Sequence, residues 1–141
     1  MPRMKLHPLE TYRFSTRLSV RVTDLNRADH LSAYALVGML DEAYAQFVID
    51  LSLGGAGFGA PNVSSINAEL QVNYQGEGKL HDELTIDMGV GEIGGKGFRL
   101  HYRVTCGERA IALAEVGVVC FDYVVKKPIA VPVEFIEALR D

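Results

Sequence analysis

The sequence has little cysteine, no long apolar run and no basic cluster, and each absence excludes a class of protein. Its 141 residues include only two cysteines, Cys106 and Cys120, so a disulfide framework is not indicated. No apolar stretch reaches the roughly 20 residues that a membrane-spanning helix needs. Because residues 1–11 also lack the apolar core of a secretion signal, we expect a cytoplasmic protein without a membrane partner.

The distribution of charge and histidine argues against nucleic acid and metal as partners. The formal net charge is −4 and neither half of the chain has a long basic run, whereas duplex binding depends on clustered Lys and Arg. The four histidines are scattered without metal-ligand spacing. Cys120 lies in an apolar run that is typical of a small buried residue. We therefore expect neither nucleic acid nor a metal or other cofactor.

The composition that remains is that of an ordinary globular protein, with 48% hydrophobic and 23% charged residues. A chain of 141 residues suits one domain with one core. No internal repeat or linker divides it, so the prediction is a single domain over residues 1–141.

The longest pattern in the sequence is that of an amphipathic helix. Residues 23–30 form a polar turn, and the segment from about Leu31 to Leu53 then carries apolar residues at helical spacing. These apolar residues include Leu36, Leu40, Ala43, Phe47 and Leu51. Because few polar side chains interrupt the segment, we expect the helix to be buried on more than one side. Gly54–Gly57 would end it.

Strand patterns flank this helix. An alternating segment, Tyr12–Val22, precedes it and four strand-like runs follow it. The four runs are Ile66–Tyr74, Glu83–Ile93, Phe98–Cys106 and Ala110–Tyr123. Short glycine-containing links predict hairpins and an antiparallel meander, in which the last run, apolar on both faces, is the central strand. The predicted fold is α+β, an antiparallel sheet of about five strands curled around one long central helix, with a short helix at Pro132–Leu139.

The polar loop that leads into the helix is the segment best suited to chemistry. Free N–H groups and the helix dipole at a helix N-terminus can polarise a carbonyl oxygen or hold an anion. Asp24, Asn26, Asp29 and His30 surround this positive end. They supply candidate bases for acyl transfer beside an oxyanion site, although the first three equally fit a structural role as caps and turn formers.

Residues 17–133 resemble hotdog-fold thioesterases of the 4-hydroxybenzoyl-CoA thioesterase branch. That branch has an Asp-x-Asp loop, often followed by a His, and then a long helix that bears a carboxylate. Asp24-Leu25-Asn26 matches the loop, His30 matches the histidine and Asp41 matches the helix carboxylate. The segment Leu80–Leu84 also resembles the start of the family's middle strand.

The resemblance implies a hotdog fold and hydrolysis of an acyl-CoA or acyl-carrier thioester by a homodimer or homotetramer. The family's catalytic group is the second Asp of the loop, and Asn26 stands at that position. An amide is neither a base nor a good nucleophile, so Asn26 would position the thioester carbonyl or a water. The candidate base is then Asp41, from either subunit, or alternatively Asp24.

The resemblance also assigns the remaining candidates. The main-chain N–H of Ala33 is the implied oxyanion donor, and His30 either contacts the substrate or orders the loop. Coenzyme A phosphates need surface cations, for which the candidates are Lys96, Arg99, Lys126 and Lys127. Asn26 leaves open a protein that binds an acyl thioester without hydrolysing it. A dehydratase of the same fold is less favoured, because its His-Phe-Pro-type loop is missing.

Overall fold

The computed structural model of the chain describes residues 4–51, 53, 58 and 61–140. They form six strands, two α-helices and a single 3-10 turn at Val22–Asp24. The strands are β1 (Phe14–Ser19), β2 (Val63–Tyr74), β3 (Glu83–Ile93), β4 (Gly97–Cys106), β5 (Arg109–Asp122) and β6 (Lys127–Pro128), and the helices are α1 (Ala33–Asp50) and α2 (Val133–Leu139). Strands β3, β4 and β5 agree with the predicted runs to within one residue. β1 is shorter than predicted, because the chain turns into the 3-10 segment after Val20.

The sheet is antiparallel, with strand order β1-β3-β4-β5-β2 and β6 beside β5. The predicted four-stranded meander is therefore wrong for β2, which lies beyond β5 rather than next to β3. The link of residues 75–82 is not a hairpin. It crosses the end of the sheet, where the Gly78 carbonyl accepts a hydrogen bond from the Leu31 N–H at 2.7 Å. β5 is an interior strand, as its two apolar faces indicate, but the middle strand is β4.

Helix α1 packs on one face of the sheet and is held from both edges. Thr16 of β1 donates a hydrogen bond to Gln46 of α1 at 2.5 Å, and Ser65 of β2 is hydrogen-bonded to the Tyr44 hydroxyl at 2.8 Å. A flat sheet could not reach one helix from both edge strands, so the sheet curves around α1 as predicted. The buried side chains of α1 are Leu36, Met39, Leu40, Ala43, Phe47 and Val48.

The expectation that α1 is buried on more than one side is wrong for the single chain. Its outward face is exposed, with Tyr34 72% and Ile49 75% accessible. The outward face appeared apolar in the sequence because it carries Gly38 and Ala45, which add little apolar area. The helix ends at Asp50, and the predicted stop at Gly54–Gly57 lies outside the described residues.

The N-terminal segment lies against the opposite face of the sheet. The Met4 carbonyl accepts hydrogen bonds from the side chains of Gln71 (2.9 Å) and Asn73 (3.0 Å), and the Leu6 N–H donates to Asn73 Oδ1 at 2.6 Å. α2 follows Pro132, as predicted. Within the described ranges, no helix is both long and apolar enough to cross a membrane.

Candidate active site

The loop between β1 and α1 closes on itself through Asn26. Asn26 Oδ1 accepts hydrogen bonds from the N–H groups of Ala28 (2.8 Å) and His30 (3.2 Å), and the Asn26 N–H donates to the His30 carbonyl at 2.8 Å. Asp29 has φ 62°, in the left-handed region that Asp tolerates better than most residues. Asn26 therefore shapes the loop, and its side chain lies at the surface.

Asp24 lies beneath the loop and is only 5% exposed. Its Oδ2 accepts a hydrogen bond from the Arg21 N–H at 2.8 Å, and the Arg21 guanidinium contacts both carboxylate oxygens at 3.3 Å. Burial raises the pKa of Asp24, but the hydrogen bonds and the charge of Arg21 outweigh burial and hold the pKa below its usual value. A carboxylate whose pKa is lowered in this way is a weaker proton acceptor. These contacts are those of a brace for the loop.

The first turn of α1 leaves two main-chain donors open. Ser32 is the N-cap residue: its Oγ accepts from the Ala35 N–H at 3.2 Å and its carbonyl accepts from the Leu36 N–H at 3.1 Å. The N–H groups of Ala33 and Tyr34 have no acceptor among the described residues. Both residues are exposed. An oxygen that approaches the positive end of the helix can therefore bind both groups.

Two residues from other elements border this helix end. Glu77, in the link between β2 and β3, places its Oε2 3.2 Å from His30 Nε2. The Tyr74 hydroxyl of β2 donates to the Ala33 carbonyl at 3.3 Å. His30 is thus tied to the link as well as to the loop, and α1 begins beside the C-terminal end of β2.

Asp41 lies apart from the loop within one chain. Its Oδ1 accepts a hydrogen bond from Asn67 Nδ2 of β2 at 3.3 Å, and its side chain is exposed. With a rise of 1.5 Å per residue, Asp41 stands about 12 Å along the helix axis from Ala33. The two groups of one chain are therefore too far apart to act on the same thioester carbonyl.

The candidate phosphate-binding cations lie away from the loop. Arg99 is on the outer face of the sheet, where Glu69 and Glu115 each contact its guanidinium at 2.6 Å. Lys127, in β6, lies opposite Asp122 of β5 in the strand register, and Asp122 lies opposite Val63 at the start of β2. Lys126 and Lys96 are exposed near the same end of the sheet. This is the end at which α1 finishes, whereas the loop lies where α1 begins.

A cleft of about 540 Å³ opens on the β1 flank of α1. Its lining includes Asp24, Tyr34, Gly38, Met39 and Glu42. The first turn of α1 can thus be reached from this flank, which is opposite the flank that carries Asp41.

The described side chains give little support to catalysis by a metal ion or by a cysteine thiol. Within the described ranges, no group of three or more His, Cys, Asp or Glu residues is arranged to hold a metal ion. Cys120 is fully buried, as its apolar surroundings in the sequence predicted, and burial raises the pKa of its thiol to about 11. The loop and Asp41 were recognisable in the sequence, but the residues that contact them were not. These are Glu77, which contacts His30, Asn67, which contacts Asp41, and Tyr74, which contacts Ala33. Only the chain's three-dimensional path brings those residues close, whereas Ser32 could have been found as a capping residue before an apolar stripe.

The arrangement of a curved sheet, a central helix and a polar loop at its N-terminus has a match among known families. Residues 20–139 match the family described as the thioesterase-like superfamily. The chain belongs to this superfamily. The predicted resemblance to hotdog-fold thioesterases is thereby confirmed. A search of curated proteins finds no match.

Solved structures show the same hotdog fold. A probable thioesterase, YbaW from Escherichia coli, is 24% identical over 90% of this chain and 96% of its own, with a TM-score of 0.77. The 1,4-dihydroxy-2-naphthoyl-CoA thioesterase Slr0204 from Synechocystis is 17% identical over 91% of this chain and 96% of its own, with a TM-score of 0.81. SAV2348 from Staphylococcus aureus, solved in complex with CoA, is 14% identical over 95% of this chain and 86% of its own, with a TM-score of 0.82.

Proposed function

We propose that this member of the thioesterase-like superfamily is a cytoplasmic acyl-CoA thioesterase that works as a homodimer. The observation that carries the proposal is the pair of open N–H groups of Ala33 and Tyr34 at the exposed start of α1. Two fixed N–H groups at a helix N-terminus form an oxyanion site of the kind that thioester hydrolysis needs. The similarity to a naphthoyl-CoA thioesterase and to a protein solved with CoA supports CoA as the carrier.

The edge strand β2 supports the proposed dimer. Its side chains Ile66, Leu70 and Tyr74 are 38%, 47% and 48% exposed, and an exposed edge strand with apolar side chains favours pairing with a second copy. α1 runs antiparallel to β2, since Ala33 lies beside Tyr74 and Asp41 lies beside Asn67. A two-fold axis near Leu70 would therefore bring the start of one α1 close to Asp41 of the other subunit. Each dimer would have two such shared sites.

At this site, hydrolysis needs an oxyanion site and a general base but no strong general acid. The thioester oxygen accepts hydrogen bonds from the N–H groups of Ala33 and Tyr34, which stabilise the negative charge that develops on it. Asp41 of the second subunit takes a proton from a water that attacks the carbonyl carbon. The carbon–sulfur bond then breaks, and the thiolate leaves without needing a strong general acid. Asp24 braces the loop and takes no proton.

The other loop residues have positioning roles in this scheme. Asn26 holds the loop through its oxygen, so that its amide NH₂ group can donate to the substrate or to the attacking water. His30, paired with Glu77, orders the same loop. Lys126 and Lys127 lie near the end of α1, and in the antiparallel dimer they approach the second subunit's loop. They are therefore better placed for a CoA phosphate than Arg99, which two carboxylates already neutralise.

A thiol-release assay over a panel of acyl-CoA chain lengths tests the proposal. We expect release from at least one acyl-CoA, and a loss of about 10²–10⁴-fold in Asp41→Asn, which removes a general base with little change in shape. Glu108→Gln, on an exposed turn, is the matched control and should keep the parent rate. A rate in Asp41→Asn equal to that of the parent would remove Asp41 from the mechanism.

One observation favours a second candidate function. Asn26 stands where the family's usual carboxylate would be, and its oxygen is occupied by two main-chain N–H groups. A protein that binds acyl-CoA without cleaving it needs no base at this position. Calorimetry that shows binding of an acyl-CoA from which no thiol is released would favour this function over hydrolysis.

A further inference from the structure

Gly38 lies in the interior of α1, at an exposed position. Glycine is the least favourable residue after proline inside a helix, because it loses the most conformational entropy on folding and has no side chain to pack. Apart from its chain neighbours and the helix backbone, a Cβ at this position would meet no described atom within 4 Å. Close packing between described elements therefore does not explain the glycine, whereas a molecule that enters the space beside it would.

The space beside Gly38 is the cleft of about 540 Å³ on the β1 flank of α1. A volume of roughly 300–1,000 Å³ is typical of sites for small organic ligands. The residues that α1 contributes to the lining form one stripe along the helix: Tyr34, Ala35, Gly38, Met39 and Glu42. This stripe begins at Tyr34, which carries one of the two open N–H groups, so a molecule bound there can extend directly into the cleft.

The cleft becomes more apolar with distance from the loop. The chain from β1 to Asp24 runs antiparallel to α1, because Thr16 contacts Gln46 and the Asp24 carbonyl accepts a hydrogen bond from the Ser32 N–H. The polar loop residues of the lining therefore lie beside the start of α1. Further along the cleft lie the apolar side chains of Leu18 and Met39. An apolar segment that follows a polar entrance suits an acyl chain whose carbonyl stays at the start of α1.

Two hydrogen bonds close the far end of the cleft. Gln46 Nε2 donates to Glu42 Oε2 at 2.9 Å, and Gln46 Oε1 accepts from the Thr16 hydroxyl, so α1 and β1 are joined there. Tyr34 and Glu42 are eight residues apart, about 12 Å along the helix axis. A zigzag of bonds of about 1.5 Å covers this distance with roughly eight to ten carbons. The cleft therefore has the length of a medium-chain acyl group.

We propose that this cleft binds the acyl chain of a medium-chain acyl thioester and that Gly38 determines the accepted chain length. The inference rests on the proposed function, in which the N–H groups of Ala33 and Tyr34 bind the thioester oxygen. Gly38 follows Tyr34 by four residues, about 6 Å along the helix. A four-carbon acyl group therefore ends near Gly38, whereas an eight-carbon group passes it and reaches Leu18 and Met39. A large side chain at position 38 would obstruct the longer group more than the shorter one.

The test compares two acyl lengths in matched variants. The values of kcat/KM for octanoyl-CoA and butanoyl-CoA are measured for the parent, for Gly38→Leu and for Ala45→Leu. Ala45 is exposed two helical turns beyond Gly38, outside the lining of the cleft, and serves as the control. We expect the parent and the control to prefer octanoyl-CoA by about tenfold or more, since each methylene buried in an apolar site strengthens binding. Gly38→Leu should lower this ratio by about tenfold.

The ratio of the two kcat/KM values decides the outcome. An unchanged ratio in Gly38→Leu overturns the inference. Overturning includes an equal fall of both values, because an equal fall would place the CoA arm in the cleft instead of the acyl chain. Equal kcat/KM values for the two thioesters in the parent overturn it as well.

Stability and mass separate a filled cleft from a damaged or differently assembled protein. Because leucine favours a helix far more than glycine does and meets no described atom at the Cβ position, the Tm of Gly38→Leu should rise by about 3 °C. Its sedimenting mass should equal that of the parent. A changed mass with an unchanged ratio would place a second copy of the chain on Gly38 and overturn the inference. If Gly38→Leu does not fold, Gly38→Ala replaces it, with an expected fall of about threefold in the ratio.

Failure of the proposed function would show separately. If the parent releases no thiol from any acyl-CoA, Kd values for octanoyl-CoA and butanoyl-CoA are measured by calorimetry in the parent and in Gly38→Leu. A preference for octanoyl-CoA that disappears in the variant supports the inference even without hydrolysis. Equal Kd values in the parent overturn it.

Discussion

Ala33 is the first residue of α1, where an N–H group has no partner within the helix. Proline is well tolerated at this position, and Ser32 already has the extended conformation, with φ −74° and ψ 154°, that the residue before a proline requires. Ala33→Pro should therefore leave the thermal unfolding curve unchanged. If the Ala33 N–H binds the thioester oxygen, thiol release should fall by about 10²–10³-fold. If Ala33→Pro releases thiol at the parent's rate, the Ala33 N–H does not bind the thioester oxygen.

Asp24 gives a prediction about pH. Its pKa is lower in the folded chain than its ordinary value of about 3.9, so its contribution to stability is present above that pH and is lost as the pH falls through the folded-state pKa. At pH 7, Asp24→Asn should lower the free energy of unfolding by about 1 kcal/mol, because the charged hydrogen bonds with Arg21 are weakened. Urea unfolding at pH 7 and near pH 3 should show a smaller difference from the parent at the lower pH. A difference that stays constant between the two would contradict the assigned pairing.

The role of Asn26 could not be derived from its residue type alone. The sequence shows an amide where the family has a carboxylate, and chemistry then excludes a base. The structure adds that the amide oxygen closes the loop by accepting two main-chain hydrogen bonds. An aspartate would offer the same acceptor oxygen, so the choice of Asn over Asp at this position removes a charge without removing the loop's support.

At the scale of secondary-structure elements, the edge strand β2 carries the surface on which the proposed dimer depends. Leu70 is 47% exposed near the proposed two-fold axis. Leu70→Glu should convert the dimer to a monomer in sedimentation experiments, since it would bury a charge in an apolar contact. Ile93→Glu, at a position 38% exposed on β3, is the matched control and should remain dimeric. A dimeric Leu70→Glu protein would place the interface elsewhere.

The local sequence pattern predicted most of the helices and strands, but it could not predict which distant strands pair in the sheet. The alternation in β3 and β4 located both strands to within a residue, because each has one buried face whose period is visible in the sequence. The position of β2 was wrong, since link length alone cannot show that residues 75–82 cross the end of the sheet instead of turning back.

At the scale of the whole molecule, a site shared between two subunits requires a stable dimer. A single chain leaves the flank of α1 next to β2, and the apolar side chains of β2 itself, exposed to water. Sedimentation at micromolar concentration should give twice the chain mass of 15.5 kDa. A monomer under these conditions would leave Ala33 and Asp41 about 12 Å apart, too far to share one substrate.

A subunit-mixing experiment tests the shared site most directly. Ala33→Pro and Asp41→Asn chains, each expected to be nearly inactive alone, are unfolded together in equal amounts and refolded. Random pairing makes half of the dimers mixed, and each mixed dimer has one site in which both contributing residues are intact. A site shared between subunits predicts recovery of about a quarter of the parent's thiol release. Recovery of no activity beyond the sum of the two separate variants, in dimers shown by sedimentation to have mixed, would contradict it.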